Sequence, residues 1–86
     1  MNKLKLWDAD ADRIQATTRN LAEAMRSTGI ALEVEVMAEA PLIARTGLSG
    51  RLPALEIDGD YWIWRVGEVI PVAAIEALLR RLRPSA

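Results

Sequence analysis

The chain lacks both cysteine and histidine in all 86 of its residues. Without cysteine it can form no disulfide and offers no thiolate nucleophile, and without histidine it has no imidazole base. The usual ligands of a zinc site are absent as well. These absences remove most enzyme mechanisms, so we expect a protein without catalytic activity, cofactor or bound metal.

Long apolar runs are also missing. No segment approaches the ~18 uninterrupted apolar residues of a membrane-spanning helix, and the N-terminal segment lacks the apolar region of a secretory signal. We therefore expect no membrane association and a cytoplasmic location. The formal net charge is −1 with no basic face, which argues against nucleic-acid binding. The one cluster of cations, typical of a helix C-terminus, consists of Arg80, Arg81 and Arg83.

The first half of the chain has the pattern of a strand, a helix and a second strand. Residues 3–7 alternate polar and apolar side chains, and an acidic turn follows them. Apolar residues then recur at helical spacing up to Gly29, a residue type that commonly ends helices. Residues 30–37 alternate again, with glutamates on one side, which predicts a strand at a sheet edge. This order favours parallel pairing of the two strands.

The second half predicts a helix, two strands and a last helix. A short helix spans residues 41–45, with its proline at an early position. Asp58-Gly59 is a strong hairpin signal between a strand that begins at Pro53 and a strand over residues 61–66. Apolar residues at helical spacing predict the final helix over residues 71–82. The predicted order is therefore βαβαββα.

Several short segments, in this order, carry a resemblance to a known family. They are Leu4-Lys5-Leu6-Trp7, Gly29-Ile30, Gly47-Leu48, Leu52-Pro53-Ala54-Leu55-Glu56-Ile57-Asp58-Gly59 and Gly67-Glu68-Val69. With this order of elements, the chain resembles the thioredoxin/glutaredoxin fold from Lys3 to Leu82, and more narrowly the small proteins called redox-active disulfide protein 2. The resemblance implies a single α/β domain over residues 1–86. It also implies a four-stranded mixed sheet flanked by helices, and a cis peptide bond at Pro53.

The chain departs from this family at the redox site. The two cysteines of the family's C-x-x-C motif fall on Ala11 and Ile14, and neither side chain can form the thiolate that attacks a disulfide. The loop before Pro53 is one residue longer, and the fourth strand extends around Arg65-Val66. The resemblance therefore implies the fold without the family's redox activity.

An acidic triplet precedes the first predicted helix. Asp8, Asp10 and Asp12 have the spacing that opens a calcium-binding loop, but such a loop needs glycine at position six and glutamate at position twelve. Arg13 and Arg19 stand there instead. We interpret the aspartates as capping and first-turn residues. A carboxylate-based enzyme is the weaker alternative, since these acids lie on a predicted exposed turn.

The fourth predicted strand holds three of the four aromatic residues of the chain. Alternation places Trp62 and Trp64 on one face, and the predicted fold puts this strand at an edge. Natural edges are usually blunted by charge, proline or brevity. Either the last helix covers this strand, or the edge contacts another protein, as a homodimer or in a larger assembly. The predicted interface residues are Tyr61, Trp62, Trp64, Arg65, Ile70 and Val72.

An alternative function uses the former redox groove, formed by Ala11, Ile14, Leu52 and Pro53. In redox relatives the backbone before the proline pairs with an extended substrate chain. Leu52 could offer the same backbone groups to a peptide, which would bind by strand addition without chemistry. The alternative is therefore a module that binds a peptide or a small ligand.

Overall fold

A computed structural model of the chain describes residues 3–82. Strands and helices follow one another in the predicted βαβαββα order, and the alternating and helical patterns of the sequence account for each of them. The elements are β1 (Lys3–Trp7), α1 (Ala11–Thr28), β2 (Glu33–Met37), α2 (Ala40–Thr46), β3 (Ala54–Ile57), β4 (Asp60–Trp62) and α3 (Val72–Leu82).

The four strands form one mixed sheet in the order β2-β1-β3-β4. β1 and β2 are parallel, with Lys3 opposite Glu33, as the strand–helix–strand pattern predicts. β3 is antiparallel to both β1 and β4. The α/β class and the mixed four-stranded sheet are therefore confirmed, and β2 and β4 are the two edges.

The sheet separates two apolar clusters. Side chains of β1 and β3 alternate between its faces, so that Leu6 and Leu55 pack with α1 and α3, whereas Trp7 and Ala54 pack with α2. We call these the helix-pair core and the α2 core. The fully buried large side chains of the helix-pair core are Leu4, Leu6, Leu21, Leu55, Ile70, Ile75 and Leu79.

The ends of α1 follow the sequence signals. Asp10 is the N-cap, and its carboxylate accepts a hydrogen bond from the Arg13 amide at 2.9 Å. At the other end, Gly29 has a φ of 73° and its amide donates to the Met25 carbonyl. The capping interpretation of the acidic triplet is thus confirmed for Asp10.

The β3–β4 hairpin is confirmed, with a two-residue loop in which Asp58 and Gly59 have φ values of 51° and 85°. Two positive φ angles are typical of a type I′ turn, whose twist matches the strands. The predicted length of β4 is wrong, because the strand ends at Trp62 rather than Val66. The chain turns away there, since the Gly67 amide donates to the Leu52 carbonyl at 2.8 Å.

Candidate functional site

β4 lies at the edge of the sheet and has β3 as its only strand neighbour among residues 3–82. Tyr61 is 45% exposed, whereas Trp62 and Trp64 are half-buried and pack against the helix-pair core. Each indole therefore belongs partly to the core and partly to the surface. We call Tyr61, Trp62, Trp64 and Arg65 the β4 surface.

Arg65 covers part of Trp64. The central carbon of its guanidinium lies 4.5 Å from the centroid of the indole ring, which is a cation–π contact. Such stacking holds the guanidinium in place beside the edge strand. The exposed Val66 follows it directly, with 59% of its surface accessible, so the β4 surface continues into an apolar loop.

Two predicted interface residues lie elsewhere. Ile70 is fully buried in the helix-pair core, and its carbonyl accepts a hydrogen bond from Asn20 Nδ2 at 2.9 Å. A partner cannot reach that side chain, so the prediction that Ile70 is an interface residue is wrong. Val72 is half-buried at the start of α3 and also packs against the helix-pair core.

A depression of about 200 Å³ lies between the β3–β4 hairpin and the end of α3. Its lining residues are apolar except for Asp60, Tyr61 and Arg81. Neither Asp60 nor Arg81 has an ion-pair partner within the described part of the chain. Sequence reasoning missed this site, because only the packing of α3 on the hairpin brings its parts together. The lining residues are Leu55, Ile57, Asp60, Tyr61, Trp62, Leu78, Arg81 and Leu82.

On the opposite sheet face, Tyr61 stands beside Glu56. The two residues are direct cross-strand neighbours, and Glu56 also accepts a hydrogen bond from the Trp7 indole at 2.9 Å. Desolvation raises the pKa of Tyr61 above its ordinary value, and the charge and hydrogen bonding of Glu56 raise it further. Both effects favour the neutral form of the phenol.

A buried ion pair lies at the start of α1. The Asp8 carboxylate is fully buried, and Arg13 binds both its oxygens, with Nε at 2.7 Å and Nη2 at 2.6 Å. Backbone amides of Ala9 and Asp10 also donate to Asp8. The hydrogen bond to Asp8 is the main reason that the pKa of Arg13 is raised. Asp8 therefore neutralises Arg13 and does not cap the helix.

The same arginine reaches the loop after β4. Arg13 Nη1 donates to the Gly67 carbonyl at 3.2 Å, and the Gly67 amide is bonded to the Leu52 carbonyl. The peptide bond between Leu52 and Pro53 is cis. The carbonyl that the groove hypothesis offers to a peptide is therefore already bonded within the chain.

The four groove residues differ in their burial and in the core against which they pack. Pro53 is buried and Ala11 is exposed, whereas Ile14 packs against the helix-pair core and Leu52 against the α2 core. An open depression of about 190 Å³ beside Leu52 contains none of the other three. It is lined by Ala9, Ala40, Ile43, Ser49 and Leu52.

Residues 3–82 contain no group of three or more acidic, histidine or cysteine side chains arranged to hold a metal ion. Over the same described range, no helix combines the length and the apolar character needed to cross a membrane.

No family model, no curated protein and no solved structure matches this chain.

Proposed function

We propose that the chain is a thioredoxin-like domain without redox chemistry that acts by binding a protein at the β4 surface. The strand order β2-β1-β3-β4, with one parallel and two antiparallel pairs, supports the thioredoxin-like assignment. The absence of cysteine removes thiol–disulfide exchange. Contact with another polypeptide is the function that remains best supported for this scaffold.

One observation carries this proposal: the edge strand displays an exposed Tyr61 and a half-exposed Trp62, and a second half-exposed indole, Trp64, follows just after it. Tyrosine, tryptophan and arginine are the residue types that most often dominate the energy of protein interfaces. Because each indole is already partly covered, burial of the remainder contributes about 1–2 kcal/mol per ring. The core contacts of Trp62 and Trp64 also hold their rings in position, which lowers the entropic cost of binding.

The experiment compares one lysine substitution on each edge strand. Tyr61→Lys introduces a charge that disfavours strand pairing on β4. Val36→Lys does the same on β2, where Val36 is 42% exposed and so closely matches Tyr61. Both variants are checked for folding by circular dichroism. Sedimentation velocity and affinity capture then compare them with the unchanged chain.

We expect Tyr61→Lys to reduce association at least tenfold, the equivalent of about 1.4 kcal/mol. Val36→Lys should leave association as it is. Equal association of the two folded variants would refute a function at β4, and a loss confined to Val36→Lys would move the contact to the other edge.

A further inference from the structure

We propose that the partner which fits β4 is a second copy of this chain, paired antiparallel around a two-fold axis at Tyr61. This inference rests on the proposed function, since it names the occupant of the same surface. Three features support it: the backbone register of the hairpin, its side-chain alternation and the charges of the depression beside α3.

The backbone register leaves the amide and carbonyl of one β4 residue facing away from β3. A two-residue hairpin loop is closed by a hydrogen-bonded pair, which here is Ile57 and Asp60. The next pair, Glu56 and Tyr61, therefore exchanges no backbone hydrogen bonds. The amide and carbonyl of Tyr61 point away from β3 and have no partner within residues 3–82. Two such residues facing each other make one complete antiparallel pair.

The alternation of side chains selects the same register. A two-fold axis perpendicular to the sheet keeps the helix-pair face of both copies on one side. With Tyr61 opposite itself, Asp60 of one copy lies across from Trp62 of the other. Those two side chains share the helix-pair face, where both line the depression beside α3. A register shifted by one residue would pair side chains of opposite faces.

The charges of the depression are complementary under this symmetry. It holds one acid, Asp60, and one base, Arg81, and neither is ion-paired in the described part of the single chain. Because Asp60 of one copy lies across from Trp62 of the other, whose depression also holds Arg81, the proposal places Asp60 beside Arg81 of the second copy, and the two-fold axis repeats this contact. A surface with one unpaired charge of each sign therefore complements itself. A strongly acidic or basic partner would leave one of the two charges repelled.

Charge reversal tests the proposal. Sedimentation equilibrium over the micromolar range should give a dimer for the unchanged chain. Asp60→Arg and Arg81→Asp should each weaken dimerisation about tenfold or more, because each variant places like charges opposite one another. An equimolar mixture of the two variants should restore association, since the charges of the resulting heterodimer are again opposite. Arg80→Asp is the control, because the exposed Arg80 does not line the depression.

Two results would overturn the second copy as partner. One is a monomer at every concentration for the unchanged chain. The other is rescue in the Asp60→Arg/Arg81→Asp double variant but not in the mixture, which would place the pair within one chain. If the chain is monomeric and Tyr61→Lys still abolishes capture of a different protein, the proposed function stands and only the second copy is refuted.

Discussion

The two edge strands of the sheet are protected against pairing in different ways. β2 is five residues long and carries Glu33 and Glu35, and Glu35 forms an exposed ion pair with Lys3 at 3.5 Å. β4 has only three residues and displays Tyr61 and Trp62. The glutamates disfavour strand pairing at β2, whereas at β4 only the shortness of the strand limits such pairing.

This difference bears on whether the proposed contact at β4 would promote aggregation. Because β4 is so short, Tyr61 is its only residue with an outward backbone pair, and the chain turns away after Trp62. A partner can form one pair of hydrogen bonds there, which is too little to template an extended sheet. The charges on β2 disfavour pairing at the opposite edge. The two edges thus differ in the way the proposed contact at β4 requires.

The largest expected effect is on the free energy of unfolding, and it differs between the ion pair near β4 and the ion pair at β2. Arg13→Gln leaves the buried Asp8 carboxylate without its cation, which should lower the free energy of unfolding by about 3–5 kcal/mol. Lys3→Gln breaks the exposed pair with Glu35 and should cost about 0–1 kcal/mol. Urea unfolding followed by circular dichroism measures both.

A second variant checks the cause of that loss. Asp8→Asn combined with Arg13→Gln removes both charges and should recover a large part of the stability. If the double variant is as unstable as Arg13→Gln alone, the loss comes from the arginine side chain rather than from the stranded charge.

A smaller effect compares the half-buried side chains of the two edges. Trp62 and Val34 both pack against the helix-pair core, and the indole is the larger of the two side chains. Trp62→Ala should lower the free energy of unfolding by about 2 kcal/mol, and Val34→Ala by about 1 kcal/mol or less. Thermal unfolding gives both values. Equal losses would mean that Trp62 contributes no more to the core than its counterpart on β2.

One substitution should stabilise the fold without changing association at either edge strand. The Thr17 hydroxyl is buried in α1 and has no hydrogen-bond partner within residues 3–82. Thr17→Val should raise the free energy of unfolding by about 1 kcal/mol without changing association in sedimentation. Thr18→Val is the control, because the Thr18 hydroxyl donates to the Ile14 carbonyl at 2.7 Å. A gain in both variants would show that valine, rather than the removed hydroxyl, is responsible.

The smallest effect concerns the phenol of β4. Glu56→Gln removes the neighbouring negative charge and should lower the raised pKa of Tyr61 toward its ordinary value of 10.0. The chain has a single tyrosine, so absorbance titration reports this group alone. Glu35→Gln, in the same row of side chains but on β2, should leave the titration unchanged.

The sign of the pH effect follows from the same shift. Because the folded pKa of Tyr61 lies above the unfolded value, its contribution to stability is complete below the unfolded pKa. That contribution is lost as the pH rises through the folded pKa. Glu56→Gln should narrow the pH range over which this stability is lost, because it brings the folded pKa of Tyr61 closer to the unfolded value. An unchanged titration midpoint would show that Glu56 does not influence the phenol.

Local signals in the sequence predicted most of the fold. Asp58-Gly59 fixes its hairpin through two positive φ angles, and Gly29 ends α1 in the same way. The glutamates of β2 correctly placed that strand at an edge. Each of these features depends on residues close together in the chain, which is why periodicity and turn chemistry were sufficient.

Features that depend on distant contacts were missed. The hydrogen bond of Gly67 to Leu52 ends β4 early, and no local pattern marks it. Nothing in the spacing of Asp8 and Arg13 shows that the aspartate is buried, because that depends on how α1 packs over the sheet. The sequence predicted part of the candidate site, because the aromatic residues around β4 are close together in the chain. The depression with Asp60 and Arg81 depends on where α3 ends against the hairpin.

The bond from Gly67 to the Leu52 carbonyl has a consequence for any peptide that approaches the cis-proline loop. Such a peptide competes with a tethered amide, whose effective concentration is on the order of millimolar or higher. A free chain at micromolar concentration is outcompeted unless it brings contacts beyond that one acceptor. The bonded carbonyl therefore disfavours recognition of a peptide by the backbone beside Pro53.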